Sequence, residues 1–199
     1  MKVSTQDKGG KNPAIVVKEA MTSHFQLILG GARSGKSRYA LAQGNEPSFN
    51  PRIFIATASP GDEEMKNRIE QHQSTRGPEW NTVEAPYRLM DALEKSAVHE
   101  KGLVVVDCLT LWISNLLCGM GGKAQSMTEI KNEFKKFEDL LPQLKGNIRL
   151  VSNEVGLGIV PDNSLGRNFR DLQGELNQTL AALANQVILM TAGLPQKLK

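Results

Sequence analysis

Phe25-Gln26-Leu27-Ile28-Leu29-Gly30-Gly31-Ala32-Arg33-Ser34-Gly35-Lys36-Ser37-Arg38-Tyr39-Ala40-Leu41-Ala42 sets an apolar run, a glycine-rich turn and a helix-compatible stretch in immediate succession. Residues 30–37 satisfy GxxxxGK[ST], and a strand before and a helix after are the context in which that pattern cradles phosphate. The glycines let the backbone curl so that several N–H groups face one phosphate, and the following helix adds its positive N-terminal end. Lys36 brings a charge to the β- and γ-phosphates, and the Ser37 hydroxyl is a ligand for Mg²⁺. Gly30, Gly31, Ala32, Arg33, Ser34, Gly35, Lys36 and Ser37 are therefore nucleotide-binding candidates, with Lys36 also catalytic through its charge.

A loop of this kind works with an acidic residue at the end of a neighbouring strand, which holds the metal or its water. Leu103-Val104-Val105-Val106-Asp107 supplies one. Asp107 is thus paired with Ser37 as a metal candidate; its other reading is the cap of a helix beginning near Leu109. The two roles are compatible.

Outward from this pair, short apolar runs alternate with helical patterns, which is how a parallel sheet covered by helices is written. Strands are expected at 25–29, 52–56, 103–106, 148–152 and 187–191, with a further short one at 82–84. Helices are expected from Lys36 and over 62–73, 87–98, 109–117, 127–141 and 167–185. The fold class is α/β, a P-loop NTPase three-layer sandwich with a mainly parallel sheet. No internal repeat or Gly/Pro/Ser-rich linker divides the chain, so residues 25–199 are read as one nucleotide-binding catalytic domain behind a disordered tail, residues 1–24.

The 199 residues amount to 21.8 kDa, with 40% apolar and 23% charged residues and a mean hydropathy of -0.32. This excludes disordered and collagen-like classes, and no apolar run reaches the roughly 18 residues of a transmembrane segment. Cys108 and Cys118 lack metal or redox spacing, and a reducing cytoplasm suits them. The net charge of +3 is mostly in the tail, where Lys2, Lys8, Lys11 and Lys18 face Asp7 and Glu19. The rest of the chain is nearly neutral and carries no basic block, so nucleic acid is not an expected partner. Guanine-reading [NT]KxD and LSGGQ-type segments are absent from the sequence, which favours a small-metabolite transferase over a switch or transporter.

His72 lies in the expected helix 62–73, on one stripe with Met65 and Ile69. By spacing alone it is either a packed core imidazole or a functional group. Arg33 and Arg76 are triphosphate contacts or solvated arginines, Glu84 is a ligand or an exposed strand carboxylate, and the stripe Trp112, Ile113, Leu116 and Leu117 is core or a subunit contact.

The strings GGARSGKSRYA, IATASPGDEEMKNRIEQHQ, VVVDCLTLWISNLL, VSNEVGLGIVP, FRDLQGELNQTLA and TAGLPQKLK together resemble the bifunctional adenosylcobinamide kinase/adenosylcobinamide-phosphate guanylyltransferase family of cobalamin biosynthesis. The likeness covers residues 26–199. It implies phosphorylation of a corrinoid, adenosylcobinamide, followed by transfer of GMP from GTP through a covalent GMP-histidine to give adenosylcobinamide-GDP and pyrophosphate. GTP and ATP are then substrates, Mg²⁺ the cofactor and a homotrimer the assembly. Carried over by position, His72 is the GMP carrier, and Thr57, Ala58, Ser59, Gln73, Ser74, Thr75, Arg76, Glu84 and Asp107 are nucleotide contacts. Where members often show a His-His pair, this chain has Gln71-His72.

Overall fold

The computed structural model describes residues 23–59, 76–120 and 122–199. Six strands run parallel: β1 (Ser23–Gly30), β2 (Arg52–Ala56), β3 (Trp80–Glu84), β4 (Leu103–Asp107), β5 (Gly146–Val151) and β6 (Gln186–Thr191). A seventh, β7 (Leu194–Lys197), returns antiparallel to β6, and the sheet order is β3-β2-β4-β5-β1-β6-β7. The described helices are α1 (Lys36–Ala42), α2 (Leu89–Ser96), α3 (Leu109–Cys118), α4 (Met127–Leu140) and α5 (Ser164–Leu183). This is the expected three-layer α/β sandwich.

Strand alternation sends successive side chains to opposite faces. On one face Val104, Val106, Ile148, Leu150, Phe25 and Leu27 pack against α2 to α5. Helix α4 turns Ile130, Phe134 and Phe137 inward at i, i+4 and i+7 and starts with a capping box between Ser126 and Glu129. Trp112 is fully buried, its ring 6.0 Å from Phe137 and nearly perpendicular to it. Ile113 and Leu116 are buried beside it and Leu117 packs against the same cluster, so this stripe is core.

The opposite face gathers Ile28, Phe54, Val105, Val151, Ile188 and Met190 against Ala40 of α1. It also holds a polar chain. Arg149, on β5, is 5% exposed, and burial pushes its guanidinium down to about 10. Its Nε donates to Gln43 Oε1 at 2.7 Å, Gln43 Nε2 donates to Gln26 Oε1 at 2.7 Å, and Gln26 Nε2 donates to Gln186 Oε1 at 2.9 Å. The far end of α1 is thereby tied to three strands.

The structure departs from the sequence reading in several places. β1 begins at Ser23, so Ser23 and His24, counted with the tail by their charge context, belong to the sheet. β7 was not expected; Ala192 and Gly193 both have positive φ (51° and 83°), the requirement of a two-residue type I′ hairpin. Helix α5 starts at Ser164, three residues before the expected 167, because Asn163 Oδ1 accepts the Gly166 N–H at 2.8 Å. Strand β5 lies between β1 and β4, so Asp107 is not on the strand adjacent to the phosphate loop as anticipated. The expected helix 62–73 and residues 1–22 lie outside the described residues.

Cys108 follows β4 and is buried, which pushes its thiol up to about 12, whereas Cys118 is exposed at the end of α3. At about pH 8 a thiol reagent should label one cysteine per native chain, Cys118, and both after unfolding. Equal labelling rates in the native protein would contradict the packing around Cys108. Because the native thiol holds its proton more tightly than the unfolded one, its stabilising effect should persist below its ordinary value of 9.0 and fade as pH rises towards 12.

Candidate nucleotide site

Six parallel strands place their carboxyl ends along one edge, the side on which such sheets bind ligands. That edge carries the loop after Gly30, Thr57, Glu84, Asp107 and the segment after Val151. The loop leaves β1 through Gly30, whose φ is 149°; a Cβ there would stand 2.5 Å from the Met190 carbonyl oxygen and 2.7 Å from Ser34 Oγ. Only glycine fits. Gly35 enters α1 at φ 97°, again in the left-handed region, and Arg33 at φ 56° sharpens the curl between them.

Inside this curl Lys36 is 7% exposed. Its Nζ donates to the Gly31 carbonyl at 2.6 Å and to the Gly30 carbonyl at 3.0 Å. Burial pushes its ammonium down from the usual lysine value, and the negative charge of Asp107 is among the influences that hold it up. Asp107 and Lys36 are thus within electrostatic reach of each other across β5. The Ser34 hydroxyl is buried close to Gly30 with no hydrogen-bond partner. Ser37 is half-buried in the first turn of α1, while Gly31, Ala32 and Arg33 are exposed at the loop's crest.

Two braces hold the loop. Glu154 N–H donates to the Gly30 carbonyl at 3.1 Å, bringing the segment after β5 against its start. Gly193 N–H, in the β6–β7 turn, donates to the Ser34 carbonyl at 2.9 Å. The first segment is itself held from below: Asn153 N–H donates to Thr110 Oγ1 at 2.8 Å, and Asn177 Nδ2 of α5 donates to the Asn153 carbonyl at 3.1 Å. Asn177 Oδ1 accepts from Ser152 Oγ at 2.6 Å and from Gln173 Nε2 at 3.0 Å. Ser152, Asn153, Gln173 and Asn177 lie in strings that carry the family likeness, but the residue-level reading missed their supporting roles. The signal was a polar pair, Gln173 and Asn177, spaced i, i+4 on the buried stripe of an otherwise apolar helix face.

Thr57 is read differently once its surroundings are known. It is fully buried, its hydroxyl donating to the Cys108 carbonyl at 2.6 Å and accepting the Cys108 N–H at 2.8 Å. Asn115 Nδ2 donates to the Thr57 carbonyl at 2.8 Å. The Thr57 hydroxyl proton is committed to the strand end that carries Asp107. Ala58 and Ser59 follow it half-buried, and Glu84 is exposed at the end of β3. Arg76 stacks 3.9 Å from the Phe54 ring centroid and donates to Thr82 Oγ1 at 3.1 Å. Its burial lowers its proton affinity and the negative charge of Asp107 raises it. The N-cap of α3 falls on Cys108, one residue past Asp107. His72, Gln73, Ser74 and Thr75 lie outside the described residues.

The oxygen donors Ser37 and Asp107 suit Mg²⁺, which takes few protein ligands and completes its shell with water and substrate phosphates. No group of three or more His, Cys, Asp or Glu side chains able to enclose a metal occurs among the described residues. No helix among them is long and apolar enough to cross a membrane.

The fold and the sequence are both shared with known proteins. The fold is shared with an ATPase from the type III secretion system of pathogenic bacteria, at 12% identity and a TM-score of 0.53 over 84% of this chain and 51% of that one. A protein from Pyrococcus horikoshii OT3 gives the same TM-score at 11% identity, over 88% and 86% of the two chains. In sequence, the chain is 39% identical to the bifunctional adenosylcobalamin biosynthesis protein CobU of Escherichia coli, over 87% of this chain and 98% of that protein. It is 42% identical to the bifunctional adenosylcobalamin biosynthesis protein CobP of Pseudomonas aeruginosa, over 87% and 96%. The family model described as cobinamide kinase / cobinamide phosphate guanyltransferase matches residues 26–198, and the chain belongs to that family of bifunctional enzymes.

Proposed function

We propose that the protein phosphorylates adenosylcobinamide and then joins GMP to the product through a covalent intermediate on His72. The observation that carries this reading is the buried Lys36 ammonium, held by the carbonyls of its own loop with Asp107 in electrostatic reach, in a chain of this family.

In the kinase step the acceptor hydroxyl oxygen attacks the γ-phosphorus of ATP or GTP. A new P–O bond forms as the bond to the β-phosphate oxygen breaks, the diphosphate keeps the electron pair, and the hydroxyl proton passes to water. Lys36 and the loop amides stabilise charge on the phosphate oxygens. In the second reaction an imidazole nitrogen of His72 attacks the α-phosphorus of GTP. The P–N bond forms, the α–β bridging P–O bond breaks, and pyrophosphate departs. An oxygen of adenosylcobinamide phosphate then attacks the same phosphorus, and the P–N electron pair returns to the imidazole.

Ser37 and Asp107 would hold Mg²⁺, which would supply charge neutralisation for the transferring phosphates. Arg33 and Arg76, with Ala58, Ser59, Gln73, Ser74, Thr75 and Glu84, belong to the nucleotide surface in this reading. Thr57 acts from behind, through the peptide after Asp107. The enzyme is taken to work in the cytoplasm as a homotrimer, with residues 25–199 as its catalytic domain.

Asp107→Asn keeps the shape of the side chain and removes its charge. Turnover at limiting Mg²⁺ should fall at least about tenfold while the thermal midpoint stays near that of the parent. Unchanged turnover at limiting Mg²⁺ would remove Asp107 from the metal site.

His72→Ala separates the two halves of the mechanism. Guanylyl transfer should disappear while phosphorylation of adenosylcobinamide persists, since that step needs positioning and charge but no covalent histidine. Parallel loss of both activities with a lowered melting temperature would make His72 a packing residue. Guanylyl transfer surviving in the folded variant would refute the carrier role.

A further inference from the structure

The segment after β5 leaves the phosphate loop at Glu154 and then exposes a run of large apolar side chains. Leu157 is 86% exposed, Ile159 95% and Val160 59%, and Leu165 at the start of α5 is 50% exposed. They alternate with Gly156 and Gly158, which keep the backbone open to close approach. A patch of this kind beside a catalytic loop marks a contact surface.

Next to it a cavity of ≈ 540 Å³ lies between Gly156 and the outer side of α5, lined by Arg170, Asp171, Glu175, Gln178 and Thr179. Its chemistry narrows the ligand. Its two carboxylates are matched by Arg170 and Lys131, so the lining offers no net positive charge to a phosphate. Carboxylate, amide and hydroxyl oxygens accept hydrogen bonds while the guanidinium and the Gln178 amide donate them. A neutral group that both donates and accepts, the carboxamide, satisfies such a lining. Part of the lining is already positioned: Arg170 Nη2 stands 3.4 Å from Asp171 Oδ1, and Lys131 Nζ lies 2.6 Å from Glu175 Oε2.

We propose that the apolar loop 155–160 and this cavity together form the platform for the corrin ring of the acceptor. The proposal rests on the corrinoid reading given above and adds where that substrate sits. A corrin has apolar faces and a rim of carboxamide side chains. Leu157, Ile159 and Val160 meet a face of the macrocycle, and the α5 cavity takes rim amides. The location suits the chemistry, because the same stretch of α5 supports Asn153 through Asn177, and the next residue along, Glu154, touches Gly30. A ring held here is beside the phosphate loop, from which one of its side arms reaches the transferring phosphate.

The test uses the full chain and adenosylcobinamide, with titration calorimetry for corrinoid and for GTP, and sedimentation for mass. Leu157→Asp and Ile159→Asp should each weaken corrinoid binding at least tenfold, leaving GTP affinity and sedimentation coefficient unchanged, while Ile159→Leu retains corrinoid affinity. In kinase assays the KM for corrinoid should rise with little change in kcat. Wild-type binding matched by both Asp variants would overturn the location while leaving the corrinoid reading intact. Weakened binding accompanied by loss of molar mass would also overturn it, assigning the patch to contact between copies of this chain. A wild-type chain that binds GTP but no adenosylcobinamide would refute the corrinoid reading itself, and this proposal with it.

Discussion

A buried ammonium group has to be surrounded by acceptors, and the site is organised around how Lys36 meets that demand. Two carbonyls of its own loop accept from it, and the loop can present both only because Gly30 and Gly35 adopt backbone conformations that side-chain-bearing residues avoid. Hydrogen bonds to a charged group contribute about 1.5–3 kcal/mol each, so losing this arrangement would leave the charge poorly solvated and the loop unshaped. The same carbonyls are weaker partners than phosphate oxygens. An arriving nucleotide exchanges dipoles for full negative charge without requiring the lysine to be moved out of water first.

The surroundings of the loop hold it against that exchange. Glu154 and Gly193 clamp its two ends from neighbouring strand termini, and the Arg149-Gln43-Gln26 chain fixes the far end of α1. Thr57, directly after the strand next to β4, does comparable work for Asp107, using its hydroxyl to seat the peptide that follows the carboxylate. Preorganisation of this sort is where enzymes of phosphate chemistry find much of their advantage, since there is little covalent work for the protein in the phosphoryl step.

The strand-loop-helix unit at 25–42 was legible because its pattern is local: apolar run, glycines at the tight positions, lysine at the helix start. The buried strand 103–107 and the amphipathic α4 were legible for the same reason, each carrying its own period. Sheet order was not, since nothing in residues 103–107 or 146–151 says that β5 inserts between β4 and β1. The closing hairpin escaped notice because β7 is exposed along its whole length and has no alternating pattern; the Ala192-Gly193 turn was its only local mark. Thr57 could be placed near the site by position, but the direction of its hydroxyl depends on the Cys108 peptide, 51 residues further along the chain. Residues such as Gln173 and Asn177 look anomalous on a buried stripe until the strand end they serve is in place.

One loop serving two group transfers is the centre of this account, and the distinction between them is a covalent nucleotide. Intact-mass spectrometry of the wild-type chain after incubation with GTP and Mg²⁺, without corrinoid, addresses it directly. The predicted result is a chain heavier by one GMP, with the added mass lost when adenosylcobinamide phosphate is supplied. A chain of unchanged mass that nevertheless makes adenosylcobinamide-GDP would contradict the account, because GMP would then pass to the acceptor without stopping on the protein.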